Sequence, residues 1–315
     1  MVQSRVTDVH LRGLAVVDDQ VVWASGQHNT IIKTTNGGNT WQTFKISDDH
    51  DLDLRDIEAF NEDTALVISA GRPCKIYKTI DGGNSWSEKY YDDRESVFFD
   101  GMDFWDEQNG IAYGDPIDQH FTIIITSNGG ETWRSLDSAS LPKSLPDEAG
   151  FAASGTGIVA MAQDRVWLAT GGATSARVFF SNDKGVSWNV SNVPLKSGEG
   201  TGIFSISFVD ENNGIALGGN YIDSTDKSAN CAITNDGGKT WILITEKNPN
   251  GYRSCVAVSN NGNLAITVGR TGSEFSTNHG RTWKHLGSEG YFSCGFGQKT
   301  AWAVGRSGKM AKLNL

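Results

Sequence analysis

Short apolar runs recur along the whole chain. The stretch LRGLAVVDDQVVWASGQHNTIIKT (11–34) breaks into three such runs, rich in β-branched and aromatic residues and separated by turn formers. LRDIEAFNEDTALVISAGRPCKIYKT (54–79) breaks in the same way. A fourth run follows the next tryptophan, as in WQTFKI (41–46). No segment between them shows the 3.6-residue period of a helix. Units of four strands, repeating every ~40–50 residues, are the pattern of propeller blades.

A short box marks each unit. TTNGGNTW (34–41) returns at 79–86, 126–133, 181–188, 234–241 and 276–283, always as Ser/Thr-x-Asp/Asn-x-Gly-x-Ser/Thr-Trp. The tryptophans are 42 to 55 residues apart. Six blades are therefore expected near 11–47, 54–92, 98–137, 149–194, 201–246 and 252–287. The tail 290–315 reads as three strands without a box, and QSRVTDVH (3–10) is an orphan strand. Pairing the orphan with the tail gives a seventh blade, closes the ring and leaves no exposed edge. The expectation is an all-β, seven-bladed propeller, residues 1–315 forming a single domain.

The box sits between third and fourth strands and reads as a hairpin lock. Its third position is Asp at 81, 183 and 236 but Asn at 36, 128 and 278. Catalysis or calcium binding would favour the charge, whereas a turn needs only an acceptor oxygen. GGKTW (237–241) is not a phosphate loop, because Ile233 stands where that motif needs glycine. GEGTGIF (198–204) leads into a strand and is no dinucleotide fingerprint.

Composition narrows the partners. The chain has 315 residues, 10 tryptophans and a formal net charge of −10. That balance disfavours nucleic acid and anionic membranes. No apolar run reaches membrane-spanning length. The N-terminus has no apolar signal core, which fits either a cytoplasmic protein or a mature form restarted at Met1. Cys74, Cys231, Cys255 and Cys294 show no C-x-x-C spacing and read as buried strand residues, with their disulfide status open. No cofactor motif is present.

The six boxes resemble the Asp-box, or BNR, repeat of sialidases, sortilin-like receptors and related propellers. The fuller repeat, with WASGQHNTIIKTTNGGNTW (23–41) and AWAVGRSGKM (301–310), is similar to the photosystem II stability/assembly-factor-like (YCF48-related) bacterial propellers. FDGMDFWDEQNGIAYGDPID (99–118), FAASGT (151–156) and GIFSISFVDENNGIALGGNY (202–221) resemble an exported branch, some of whose members carry an oxidoreductase label that no motif here supports. The resemblance implies an assembly or interaction role and an extracytoplasmic location, periplasmic or secreted.

Candidate chemistry gathers on the face opposite the boxes. Of twelve arginines, Arg12, Arg55, Arg72, Arg94, Arg177, Arg253, Arg270 and Arg306 map to loops or strand ends there. A guanidinium fork suits carboxylate or phosphate. The set, with Asp100, Asp115, Glu148 and Tyr221, marks an expected ligand face for a protein, a peptide or an acidic carbohydrate. Local pairing of the arginines with Asp100, Asp115, Asp118 and Glu148 is the competing expectation. A second alternative is a sialidase-like glycoside hydrolase using Asp100, Asp103, Asp115 or Asp118, with Tyr221 and Tyr291 near the mouth. Asp100 and Asp103 have the wrong parity for one strand face, the Arg-Ile-Pro element of sialidases is absent, and seven blades is the wrong count for them. His28, His50 and His120 lie in loops without ligand spacing, so no metal is expected. The favoured reading is a non-catalytic binding scaffold.

Overall fold

The structure, a computed structural model, describes residues 2–136, 140–161 and 164–315. Seven four-stranded antiparallel sheets form a ring. The innermost strands are Leu11–Val16, Asp53–Ala59, Phe99–Phe104, Ile158–Met161, Thr201–Phe208, Cys255–Val258 and Ser293–Phe296. Each packs against its two neighbours around a central channel. Among the described residues there is no α-helix. The end of the third expected unit, at 137, lies outside the described residues.

Val2–Arg5 pairs with Lys309–Asn314, from Val2 opposite Lys312 to Arg5 opposite Lys309. The N-terminal strand thus supplies the outer edge of the seventh blade, as the orphan strand required. Side chains reinforce the seam. Asp19 of blade 1 accepts bonds from the Lys299 N–H and the Thr300 hydroxyl of blade 7, both at 2.8 Å. Lys312 donates to the Gly37 carbonyl at 2.7 Å.

The apolar core lies between blades. Trp23 and Ile31 of blade 1 pack with Leu54, Ile57 and Val67 of blade 2, and the other clusters repeat this arrangement. Each large residue is therefore buried by two units, and no blade is closed alone. The Trp23 indole donates to the Asn61 carbonyl at 3.1 Å, and Trp167 to Gly237 at 2.8 Å, each in the next blade.

The fourth unit departs from expectation. Its first strand begins at Ile158, not near 149. Residues 150–157 instead form a run of turns and bends that plugs the channel. The Arg55 guanidinium of blade 2 donates to the Ala152 carbonyl at 3.1 Å, and Ser154 donates to the Ser254 carbonyl of blade 6 at 2.8 Å. Phe151 stacks on Phe204 of blade 5 with centroids 3.9 Å apart. Gly155 has φ +78°, and a Cβ there would lie 2.1 Å from the Asp56 carboxylate. The small residues of FAASGTG let backbone pass where a side chain has no room.

Candidate functional site

The inner strands aim side chains at the mouth through a repeated irregularity. Pairing with the second strand skips one residue between Leu11 and Gly13, Leu54 and Asp56, Phe99 and Gly101, and Ile203 and Ser205. The bulged residues are Arg12, Arg55, Asp100 and Phe204. A bulge bends the strand and redirects one side chain, so one device recurs at the same level in four blades.

Arginine and aromatic side chains alternate around this level. The Arg12 guanidinium lies 4.4 Å from the Phe292 ring centroid, and Arg55 5.9 Å from that of Phe98. Arg270 is 5.9 Å from the Tyr221 ring and 6.0 Å from the Tyr252 ring. Arg55 already donates to Asp53 and Ala152, and Arg270 to the Tyr221 carbonyl at 2.9 Å, so the donors these stacks leave for a ligand are those of Arg12 and the remaining edge of Arg270. A pocket of about 300 Å³ opens between Arg270, Tyr291, Phe292, Arg306 and Lys309. Lys309 is paired with Glu289 at its edge.

Electrostatics mark Arg12 as the strained member. Burial lowers its pKa first, and the adjacent cation of Arg55 lowers it further, with Arg270 adding to this; Asp53 and Tyr252 oppose them. Its Nε is buried without a hydrogen-bond partner. Arg55 is better compensated, donating to Asp53 at 2.9 Å as well as to Ala152. His10, whose Nδ1 accepts the Ser307 N–H at 3.1 Å, has its pKa lowered by burial and by Arg306 and Arg12.

Other arginines of the expected face are spent on local partners. Arg253 is 0 % exposed, donates to Glu274 at 2.6 Å and is no part of the open surface. Arg177 grips the buried Glu148, with Nε 2.8 Å from one oxygen, so that neither is free for a ligand. Arg94 pairs with Asp92 at 2.6 Å. Arg72 is exposed in the turn before the third strand of blade 2.

The acidic group also divides. Asp100 is 1 % exposed, and its pKa is raised by burial and then by Asp115. Asp115 accepts the Gly150 N–H at 2.9 Å and is itself pushed up to about 6, chiefly by burial. These two form a closed pair beneath the plug. Asp103 is turned into the channel, and Asp118 is an exposed turn residue with φ +53°. His28, His50 and His120 bond separately to Asp51, Asp48 and the Asp118 carbonyl. Among the described residues no three His, Cys, Asp or Glu side chains are placed to hold a metal.

Below the plug, the channel holds a cavity of about 200 Å³ bordered by Asp56, Glu58, Asp103, Thr156 and Cys294, among others. Asp56 accepts the Met102 N–H at 2.8 Å, and Asp103 accepts the Ala160 N–H at 2.7 Å, each across a blade boundary. Burial pushes both carboxyls up to about 7, and it raises Glu58 as well, helped by Asp103 and Asp56.

Sequence reasoning missed Phe98, Tyr252, Phe292 and the plug. One signal was available: YRSC (252–255) and YFSC (291–294) occupy equivalent places in adjacent units, so an aromatic stands where a neighbour has arginine.

No protein-family model matches the chain, and no curated protein matches it. Solved structures do match. YCF48 bound to D1 peptide superposes with a TM-score of 0.72 at 14 % identity, covering all of this chain and 94 % of that one. YCF48 from Cyanidioschyzon merolae gives 0.68 at 16 %, covering 100 % and 99 %. The Niastella koreensis GH74 enzyme gives 0.67 at 13 %, covering 97 % of this chain and 52 % of that one. At such identities the likeness is one of fold: the chain is a seven-bladed propeller whose fold is similar to that of YCF48.

Proposed function

We propose that the protein is a non-catalytic binding module whose mouth takes a peptide through a carboxylate, supplied by a chain terminus or an acidic side chain. The observation that carries this reading is the convergence of Arg12, Arg270 and Arg306 around aromatic rings. Arg12 is held there without a hydrogen bond to its Nε, in like-charged company. An arriving anion relieves that repulsion and meets planar donors. Rings supply apolar contact for the rest of the peptide. The peptide named with the YCF48 structure supports this reading by analogy of fold.

A glycoside hydrolase needs two carboxyls facing an open groove, about 5–10 Å apart. Asp100 and Asp115 are closed under the plug, which favours binding over hydrolysis. Calorimetric titration of short peptides, free-acid against amidated, tests the proposal. Amidation of a non-acidic peptide weakens binding at least tenfold, and so does Arg270→Glu combined with Arg306→Glu. Equal affinities, or turnover of aryl glycosides, would overturn it. Preference for sialosides over every peptide would replace it with a carbohydrate-binding function.

A further inference from the structure

Cys255 and Cys294 occupy matching places in adjacent units, on the facing inner strands of blades 6 and 7. Their Sγ atoms are 3.7 Å apart. Both are buried, and both are free thiols. As a thiol, Cys255 donates to the Cys294 carbonyl at 3.5 Å; as a thiolate it is within reach of the Cys294 N–H at 3.3 Å, the Thr156 hydroxyl at 3.6 Å, the Ser293 hydroxyl at 3.9 Å and the Cys294 S–H, which also reaches the Ile266 carbonyl at 3.6 Å. Burial opposes ionisation there, yet these hydrogen bonds outweigh it and bring Cys255 down to about 6. Donation to Cys255 raises Cys294 instead. The pair is thus asymmetric, one sulfur disposed to be thiolate and the other thiol, as nucleophile-and-resolver chemistry requires.

Access comes from the channel. Cys294 and Thr156, which both contact the buried Cys255 sulfur, border its cavity of about 200 Å³, so an oxidant in the channel reaches Cys255 between them. A disulfide needs the sulfurs to close from 3.7 Å to about 2.05 Å, under 1 Å of movement each.

We propose that Cys255 and Cys294 form a redox-active dithiol, which a hydroperoxide converts into a disulfide joining blades 6 and 7. The Cys255 thiolate attacks one peroxide oxygen; the S–O bond forms, the O–O bond breaks, and Cys255 becomes a sulfenic acid. The departing hydroxide takes the Cys294 proton and leaves as water. The Cys294 thiolate then attacks the Cys255 sulfur, forming S–S and expelling the second oxygen as hydroxide. That hydroxide takes a proton from the channel carboxyls Asp56 and Asp103, which remain protonated up to about pH 7. Two thiol sulfurs are oxidised and one peroxide is reduced.

Cys74 and Cys231 serve as internal controls. They sit in blades 2 and 5, and burial pushes both up to about 12. The test is hydrogen peroxide treatment of the folded protein, then denaturation, thiol counting and non-reducing peptide mapping. The expected result is a fall from four thiols to two, a single Cys255–Cys294 cross-linked peptide, and recovery of all four with a dithiol reductant. Cys294→Ser removes the cross-link and leaves Cys255 to over-oxidise. The wild-type measurement stands without the variant if Cys294→Ser does not fold. In the wild-type protein, four thiols surviving treatment, a cross-link through Cys74 or Cys231, or sulfinic acid at Cys255 or Cys294 without a cross-link would overturn the proposal.

Discussion

Asp183 accepts the Ser187 N–H at 2.8 Å and the Ser187 hydroxyl at 2.6 Å. At the equivalent place Asn36 accepts the Thr40 N–H at 2.9 Å and donates its amide to the Thr40 hydroxyl at 2.8 Å. The hydroxyl reverses its role, and the turn is unchanged. Asp183→Asn is accordingly expected to change stability by less than about 0.5 kcal/mol, while Asp183→Ala costs about 1 kcal/mol in urea unfolding. The glycine before each box tryptophan is less replaceable. Gly130 has φ +79°, and a Cβ there would lie 2.2 Å from Leu66 of the preceding blade. Gly130→Ala combines backbone strain with overpacking and is expected to cost about 2 kcal/mol or more, read as a lower urea midpoint at constant m-value. The boxes were legible because they are local: the bonds of their Asp or Asn side chains that fold the turn lie within four residues. Arg253 was not, because Glu274 reaches it from another strand, 21 residues on.

At the scale of strands, a one-residue skip redirects Arg12, Arg55, Asp100 and Phe204, the last two of which stay buried. Composition does not announce such a skip, because it depends on how the second strand registers against the first. The plug was misread as the start of a strand for a related reason: small residues permit an inner strand and a close crossing alike. The channel carboxyls lend this level a pH dependence. Unfolded, they titrate near about 4, whereas Asp56 and Asp103 in the folded ring titrate near about 7. The native state therefore holds their protons more tightly. Their contribution is fully present below pH ~4 and is lost as pH rises through about 7. Glu58 shares the direction, and among the described residues its carboxyl accepts no backbone N–H. Glu58→Gln should leave the melting temperature nearly unchanged at pH 4 and raise it at pH 8, at roughly 2–4 °C per kcal/mol of relieved repulsion. A variant that shifts both pH values equally would show that Glu58 acts through packing.

For the whole molecule, the ring and its seam were legible, because six copies count the blades and one leftover strand has only one vacant edge. The partner was not, because the mouth is assembled from blades far apart in sequence, with arginine in some units and aromatics in others. Removing residues 1–6 would leave Lys309–Asn314 as an unpaired edge. Such edges recruit other chains, so the truncated protein should melt lower and scatter light as a concentration-dependent aggregate. A monomer of unchanged melting temperature would show that Asp19 and Lys312 hold the seam unaided.

The seam also imposes an order in time. Val2 lies opposite Lys312, so this edge strand is synthesised about 300 residues before its partner. At ~5–20 residues per second, its partner does not exist for some tens of seconds. Six blades can assemble in turn as the chain emerges, but the seventh must wait for Lys309–Asn314. Until then Val2–Arg5 has no native partner, and its open backbone groups can pair with another chain.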